Sequence, residues 1–214
     1  FIYIFLFFMI GTLNNKNFVK SEFPKTFDIN ITGLDKKEND KLKNNLTLIF
    51  IDNLFRLDEF EIREIINSNN LIEKYSVFKV YPSTLNIKID KTKFIASTYK
   101  DGNNFFLGSN NKLIKSDQVN KNIPQIFGNF EIQNFFDLKN EIENSRFNYN
   151  LIKKLFFFKS GRWDIEIENG ILIKLPKYNL KDSLQLVADI LSDDNHKKVK
   201  VIDLRQKKQI VLNE

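Results

Sequence analysis

Residues 162–176 read RWDIEIENGILIKLP. From Asp164 to Glu168 acidic and apolar side chains alternate: Ile165 and Ile167 point one way, Asp164, Glu166 and Glu168 the other. A period of two marks a strand with one covered face. Asn169-Gly170 then turns the chain, and Ile171, Ile173 and Leu175 bring it back. Asn-Gly accepts the positive φ angles of a type I′ turn, so a hairpin with a two-residue loop is predicted. The three carboxylates then form the wet face of a sheet. Asp164 and Glu166 are expected about 7 Å apart, a separation that suits glycoside cleavage. A glycosidase also needs a cleft and one carboxyl with a raised pKa, and the alternation signals neither.

Working outward, Asn150–Phe158 reads as the preceding strand. Its run Leu155-Phe156-Phe157-Phe158 is apolar on both faces, which predicts a central strand covered by helices. Trp163 either caps the core of the sheet or joins Arg162 as a partner anchor. Apolar spacing predicts helices over Ile132–Glu143 and Asn179–Ser192. KFIASTYK, NFFLGS and NKLIKS (93–116) read as short strands joined by turns at Asp101-Gly102-Asn103 and Gly108-Ser109-Asn110. KKVKVIDLR (197–205) is a strand, and QKKQIVLNE (206–214) one more.

The first half has another order. FDINITG (27–33) is a strand ending at glycine, and Leu34–Leu54 is helical, with Asp35 as N-cap and Glu38 three residues on. A second helix spans Asp58–Ser68, and residues 72–90 give two strands broken at Tyr81-Pro82-Ser83. The sum is an α+β chain: a β-α-α-β-β unit, then a mostly antiparallel sheet with two helices.

Composition narrows the function. The 214 residues are 42% hydrophobic, enough for a packed core, and the 22 Phe need no polar partner inside it. The net charge of +6 comes from 33 bases interleaved with 27 acids, a solvated lysine-rich surface rather than a nucleic-acid block. There is no cysteine, so no disulfide and no thiolate chemistry. His196 stands alone in a polar segment with Asp193 and Asp194, too few strong ligands for a metal. The seven glycines form no phosphate loop, and no G-x-S-x-G elbow occurs. The reading assigns no catalytic residue, metal, cofactor or nucleic acid.

FIYIFLFFMI (1–10) is wholly apolar, half of the roughly 20 residues a spanning helix needs. Because the chain begins with Phe1, the reading takes residues 1–12 as the distal part of a truncated transmembrane helix. A signal-peptide core and a buried strand are the alternatives. Residues 13–24 are linker-like.

Tyr81-Pro82-Ser83-Thr84-Leu85, entering the last strand of the β-α-α-β-β unit, resembles the corresponding segment of a POTRA domain. FLGSNNKLI (106–114), Pro124 with Phe127-Gly128, the hairpin Arg162–Pro176 and Val201-Ile202-Asp203-Leu204-Arg205 resemble, in this order, the β domain of the FtsQ/DivIB family of bacterial cell-division proteins. The resemblance implies a POTRA domain over 25–92 and a β domain over 93–214. It implies a single-pass inner-membrane protein at the division septum, its bulk periplasmic, anchored by the N-terminal helix. It also implies a non-enzymatic scaffold linking divisome components to septal peptidoglycan synthesis. Its partners are FtsB-like and FtsL-like bitopic proteins at the C-terminal edge of the β domain, and other divisome proteins through the POTRA domain. A POTRA-bearing envelope transport or assembly factor and a peptidoglycan hydrolase are the competing functions.

A sheet edge offers unpaired N–H and C=O groups that a partner strand can complete. The reading puts that edge at the last strand, with Arg205, Gln206, Lys207, Lys208, Gln209, Ile210, Val211 and Leu212 as partner-binding residues. The lysines attract an acidic partner and disfavour self-pairing. Arg205 offers a carboxylate two parallel bonds, or pairs internally with Asp203. Equally, Ile210 and Leu212 only close the fold's own core.

Overall fold

The computed structural model of the chain describes residues 2–13, 28–49, 58–116, 122–193, 198–206 and 209–213. The linker-like stretch 14–24, Leu54, His196, Lys207 and Lys208 lie outside them. The chain divides into two compact units, Phe1–Lys91 and Thr92–Glu214. The apolar N-terminal segment forms α1 (Ile2–Leu13). Among the described residues no helix is long and apolar enough to cross a membrane.

In the first unit β1 (Asp28–Thr32) is followed by α2 (Lys36–Ile49), α3 (Glu59–Ser68), β2 (Ile72–Val80) and β3 (Thr84–Lys91). The sheet order is β1-β3-β2, with β1 parallel and β2 antiparallel to β3. Asp58 caps α3 by accepting the Phe60 N–H, satisfying one of the donors a helix start leaves open. Period-two and helical patterns meet in one core: Ile29, Leu85, Ile87 and Ile89 from the strands, Leu42, Leu46, Ile62 and Ile66 from the helices. Gly33 has φ +114°, and a Cβ there would lie 1.8 Å from the Ile89 carbonyl oxygen, so only glycine lets the chain leave β1 so close to β3.

Among the described residues the second unit is built on a nine-stranded sheet. Its strands are β4 (Phe94–Lys100), β5 (Asn103–Gly108), β6 (Leu113–Lys115), β7 (Gln125–Phe127), β8 (Ile152–Phe157), β9 (Trp163–Ile167), β10 (Leu172–Lys174), β11 (Val201–Asp203) and β12 (Val211–Asn213). The order across the sheet is β12-β11-β10-β9-β8-β7-β4-β5-β6. Helices α4 (Ile132–Glu143) and α5 (Leu180–Ser192) supply Phe135, Leu138, Ile142, Leu184, Val187 and Ile190 to its core. Register aligns Ile202, Ile173, Ile165, Leu155 and Ile126 in one row across five strands, all buried in that core.

Three local expectations are corrected. First, the hairpin loop is not type I′. Only Gly170 has positive φ, at 84°. Its N–H donates to the Ile167 carbonyl (2.9 Å), and the Ile167 N–H donates to the Ile171 carbonyl (3.1 Å). This is a longer loop ending in a left-handed glycine bulge. A two-residue loop would set Ile165 opposite Lys174; the bulge sets it opposite Ile173, keeping the apolar faces together. Second, β8 is the middle strand, but helices cover only its Leu155 side. On the other face Phe156 stacks on Phe127 (ring centroids 5.3 Å apart), and beyond the strand end the Arg162 guanidinium lies 4.2 Å from the centre of the Phe158 ring. Third, β7 was not anticipated as a strand. It is three residues long and runs parallel to both neighbours.

Candidate partner-docking edge

β12 is the end strand of the sheet. It pairs antiparallel with β11, Val211 opposite Asp203 and Leu212 opposite Ile202. No described strand lies on its other side. Ile210, Val211 and Leu212 are 44%, 51% and 37% exposed, too open to be core residues. The strand expected over 206–212 is therefore shorter and later: Gln206, Gln209 and Ile210 belong to the connection from β11, and Asn213 joins the ladder.

Arg205, just beyond β11, is held by Asp203. Its Nε donates to Asp203 Oδ1 (2.8 Å) and Oδ2 (3.0 Å), Nη2 donates to Oδ2, and the Arg205 backbone N–H donates to Oδ1 (3.1 Å). The hydrogen bonds from Arg205 hold the Asp203 carboxyl below the usual carboxylate range. A groove of about 850 Å³ lies between this connection and the start of α5, lined among others by Lys177, Tyr178, Leu186, Leu204, Arg205 and Ile210. Lys177 and Tyr178 were not singled out from sequence, because they sit in an irregular segment without periodicity. Leu186 carried a signal: it falls off the stripe Leu180, Leu184, Val187, Leu191 that faces the core.

The carboxylates of the opening strand behave differently from a wet face. Asp164 is only 4% exposed. Arg162, two residues earlier on the same face, reaches back with Nε 3.4 Å from Asp164 Oδ1 while its guanidinium covers Phe158. Burial pushes the Asp164 carboxyl up, opposed chiefly by Arg162 and also by Arg205 and Lys174. Glu166 is part-covered and takes both its bonds from Lys154 Nζ (3.0 and 3.1 Å); Glu168 alone stays in solvent. Across β9, β10 and β11 the register sets Asp164, Lys174 and Asp203 side by side, and Arg162 and Arg205, each two residues along the chain, pair with Asp164 and Asp203. Trp163 is core, against Phe157 and Phe130, and Arg162 stacks on Phe158 rather than on the indole.

Both units match known protein families. The profile of the family described as cell division protein FtsQ/DivIB, C-terminal, matches residues 98–205. The FtsQ-type POTRA domain profile matches residues 24–91. A curated relative, the cell division protein FtsQ of Rickettsia bellii (strain RML369-C), is 28% identical over 167 residues, covering 72% of this chain and 59% of the relative. The chain thus corresponds to a little under three-fifths of that protein's length. A solved structure, the major extracytoplasmic domain of the trans isomer of the cell division protein DivIB from Geobacillus stearothermophilus, shares 12% identity. The match covers 44% of this chain and 87% of that one, with a TM-score of 0.34.

Proposed function

Since the chain belongs to the FtsQ/DivIB family of cell-division proteins, we propose that it acts as a non-enzymatic divisome scaffold whose β12 edge takes up a strand from an FtsB-like partner, itself paired with an FtsL-like protein. The observation that carries this reading is the one-sided pairing of β12. A strand with one open side gives a partner backbone hydrogen bonds, and the neighbouring groove gives selectivity. Other divisome proteins meet the POTRA domain. Attachment to the inner membrane, with the bulk of the chain in the periplasm at the septum, is supported by α1. Its twelve residues carry no charge, although a complete span needs about 20.

The test is co-purification of the chain with the FtsB-like protein of the same cell. Ile210→Asp and Leu212→Asp place a charge just before and within the docking strand at exposed positions, where the fold tolerates it. Both variants are expected to keep the wild-type unfolding transition and to lose the partner. Retention of the partner by both folded variants overturns the reading.

A further inference from the structure

An arginine has two edges that can each hold a carboxylate: one formed by Nε and an Nη, the other by the two Nη atoms. At Arg205 the first edge is taken by Asp203. Among the described residues no side chain hydrogen-bonds to the second. Arg205 is not in a strand, and its side chain is 40% exposed; without its partner it would sample many rotamers. Asp203, by contrast, is the last residue of β11, in register with Lys174 and Asp164 on the same face. Its carboxylate also accepts the Arg205 backbone N–H, so it sets the direction in which the chain leaves β11 towards β12.

We propose that Asp203 is the positioning residue of the docking edge: it grips Arg205 by the inner side of the guanidinium and so presents the outer side, beside the groove, to a carboxylate of the incoming partner. This rests on the strand-docking reading above. It deepens it by assigning the grip to an acid that charge alone would count against binding an acidic partner. The two views give opposite signs. Removing the Asp203 charge makes the edge more basic, which by attraction alone tightens an acidic partner. If Asp203 positions Arg205, the same change weakens binding, because the fork is no longer held in place.

The experiment titrates the full chain with the purified FtsB-like partner of the same cell. Asp203→Asn is expected to bind about tenfold more weakly, the scale of one charge-assisted hydrogen bond. Arg205→Ala is expected to lose a similar factor, and the double variant no more than Arg205→Ala alone, since the two residues act as one unit. Asp203→Glu restores part of the loss. Arg205→Lys, a change at an exposed side chain, weakens binding because a lysine offers no second edge. Wild-type or tighter affinity in Asp203→Asn, additive losses in the double variant, or wild-type affinity in Arg205→Lys overturns the proposal while docking at β12 stands. Absence of binding by the wild-type chain, or binding that survives removal of Val211–Asn213, overturns the docking reading and this proposal with it.

Discussion

Deleting residues 210–214 separates a strand that closes its own core from one that serves a partner. The deletion removes β12 and little else. Its half-open side chains Val211 and Leu212 contribute roughly 1 kcal/mol each, since full burial of such a residue is worth about 1.5–3 kcal/mol. Its backbone hydrogen bonds to β11 add about 1 kcal/mol each net. Against this, ordering three residues costs about 1–2 kcal/mol apiece. The terms cancel to within about 1–2 kcal/mol, so the truncated chain is expected to unfold in urea within that margin of wild type. Partner binding, measured by titration of the same two proteins, is expected to vanish. A loss of more than about 4 kcal/mol would mean that the strand closes the core. A truncated chain that still binds the partner would mean that the ladder is elsewhere. Either result refutes the reasoning.

Other outcomes follow from burial and close approach within the fold. Asp164 has its carboxyl pKa raised by burial, so the native chain holds its proton to higher pH than the unfolded chain, and this acid's contribution to stability falls as pH rises from about 4 through the raised value. Wild-type stability measured relative to Asp164→Asn should therefore decline over that window in urea titrations, and an increase would contradict the burial. Leu155→Ala, at the fully buried centre of the five-strand row, is expected to cost about 3–5 kcal/mol by calorimetry, against less than about 1.5 kcal/mol for Leu186→Ala in the open groove. Gly33→Ala, which drives a methyl group into the Ile89 carbonyl, should destabilise the first unit by more than about 3 kcal/mol, whereas Gly170→Ala, facing open space, should cost about 1 kcal/mol. Equal effects of the two glycine changes would refute the close approach.

The parts legible in sequence are those where one periodicity runs for several residues. Ile165 and Ile167 announced β9, and the spacing of Phe135, Leu138 and Ile142 announced α4, because a long element repeats its signal. β7 repeats nothing: three residues hold one buried side chain, Ile126, and its place between β4 and β8 comes from contacts distant in the chain. The Asn169-Gly170 turn was legible as a turn, but its type was set by register, since keeping Ile165 against Ile173 outweighs the local preference of Asn-Gly. Asp164 alternates like a solvent residue. Its cover is Arg162, and a side chain that folds back two residues leaves no trace in a polar/apolar pattern. At the docking edge, Val211 and Leu212 were recognisable as strand residues. The internal pair of Asp203 with Arg205 was legible as one of two options, and where β11 stops decides for it.

The link between β10 and β11 has a bearing on how the protein is made. These two strands run parallel, so the chain must cross the sheet through α5 before β11 can pair. β12 in turn can form only against β11. During synthesis this end of the sheet is therefore assembled after the other strands of the described sheet have left the ribosome. A chain interrupted before β11 cannot form this end of the sheet, so a strand docked on the proposed edge would report that α5 and β11 have already folded into place.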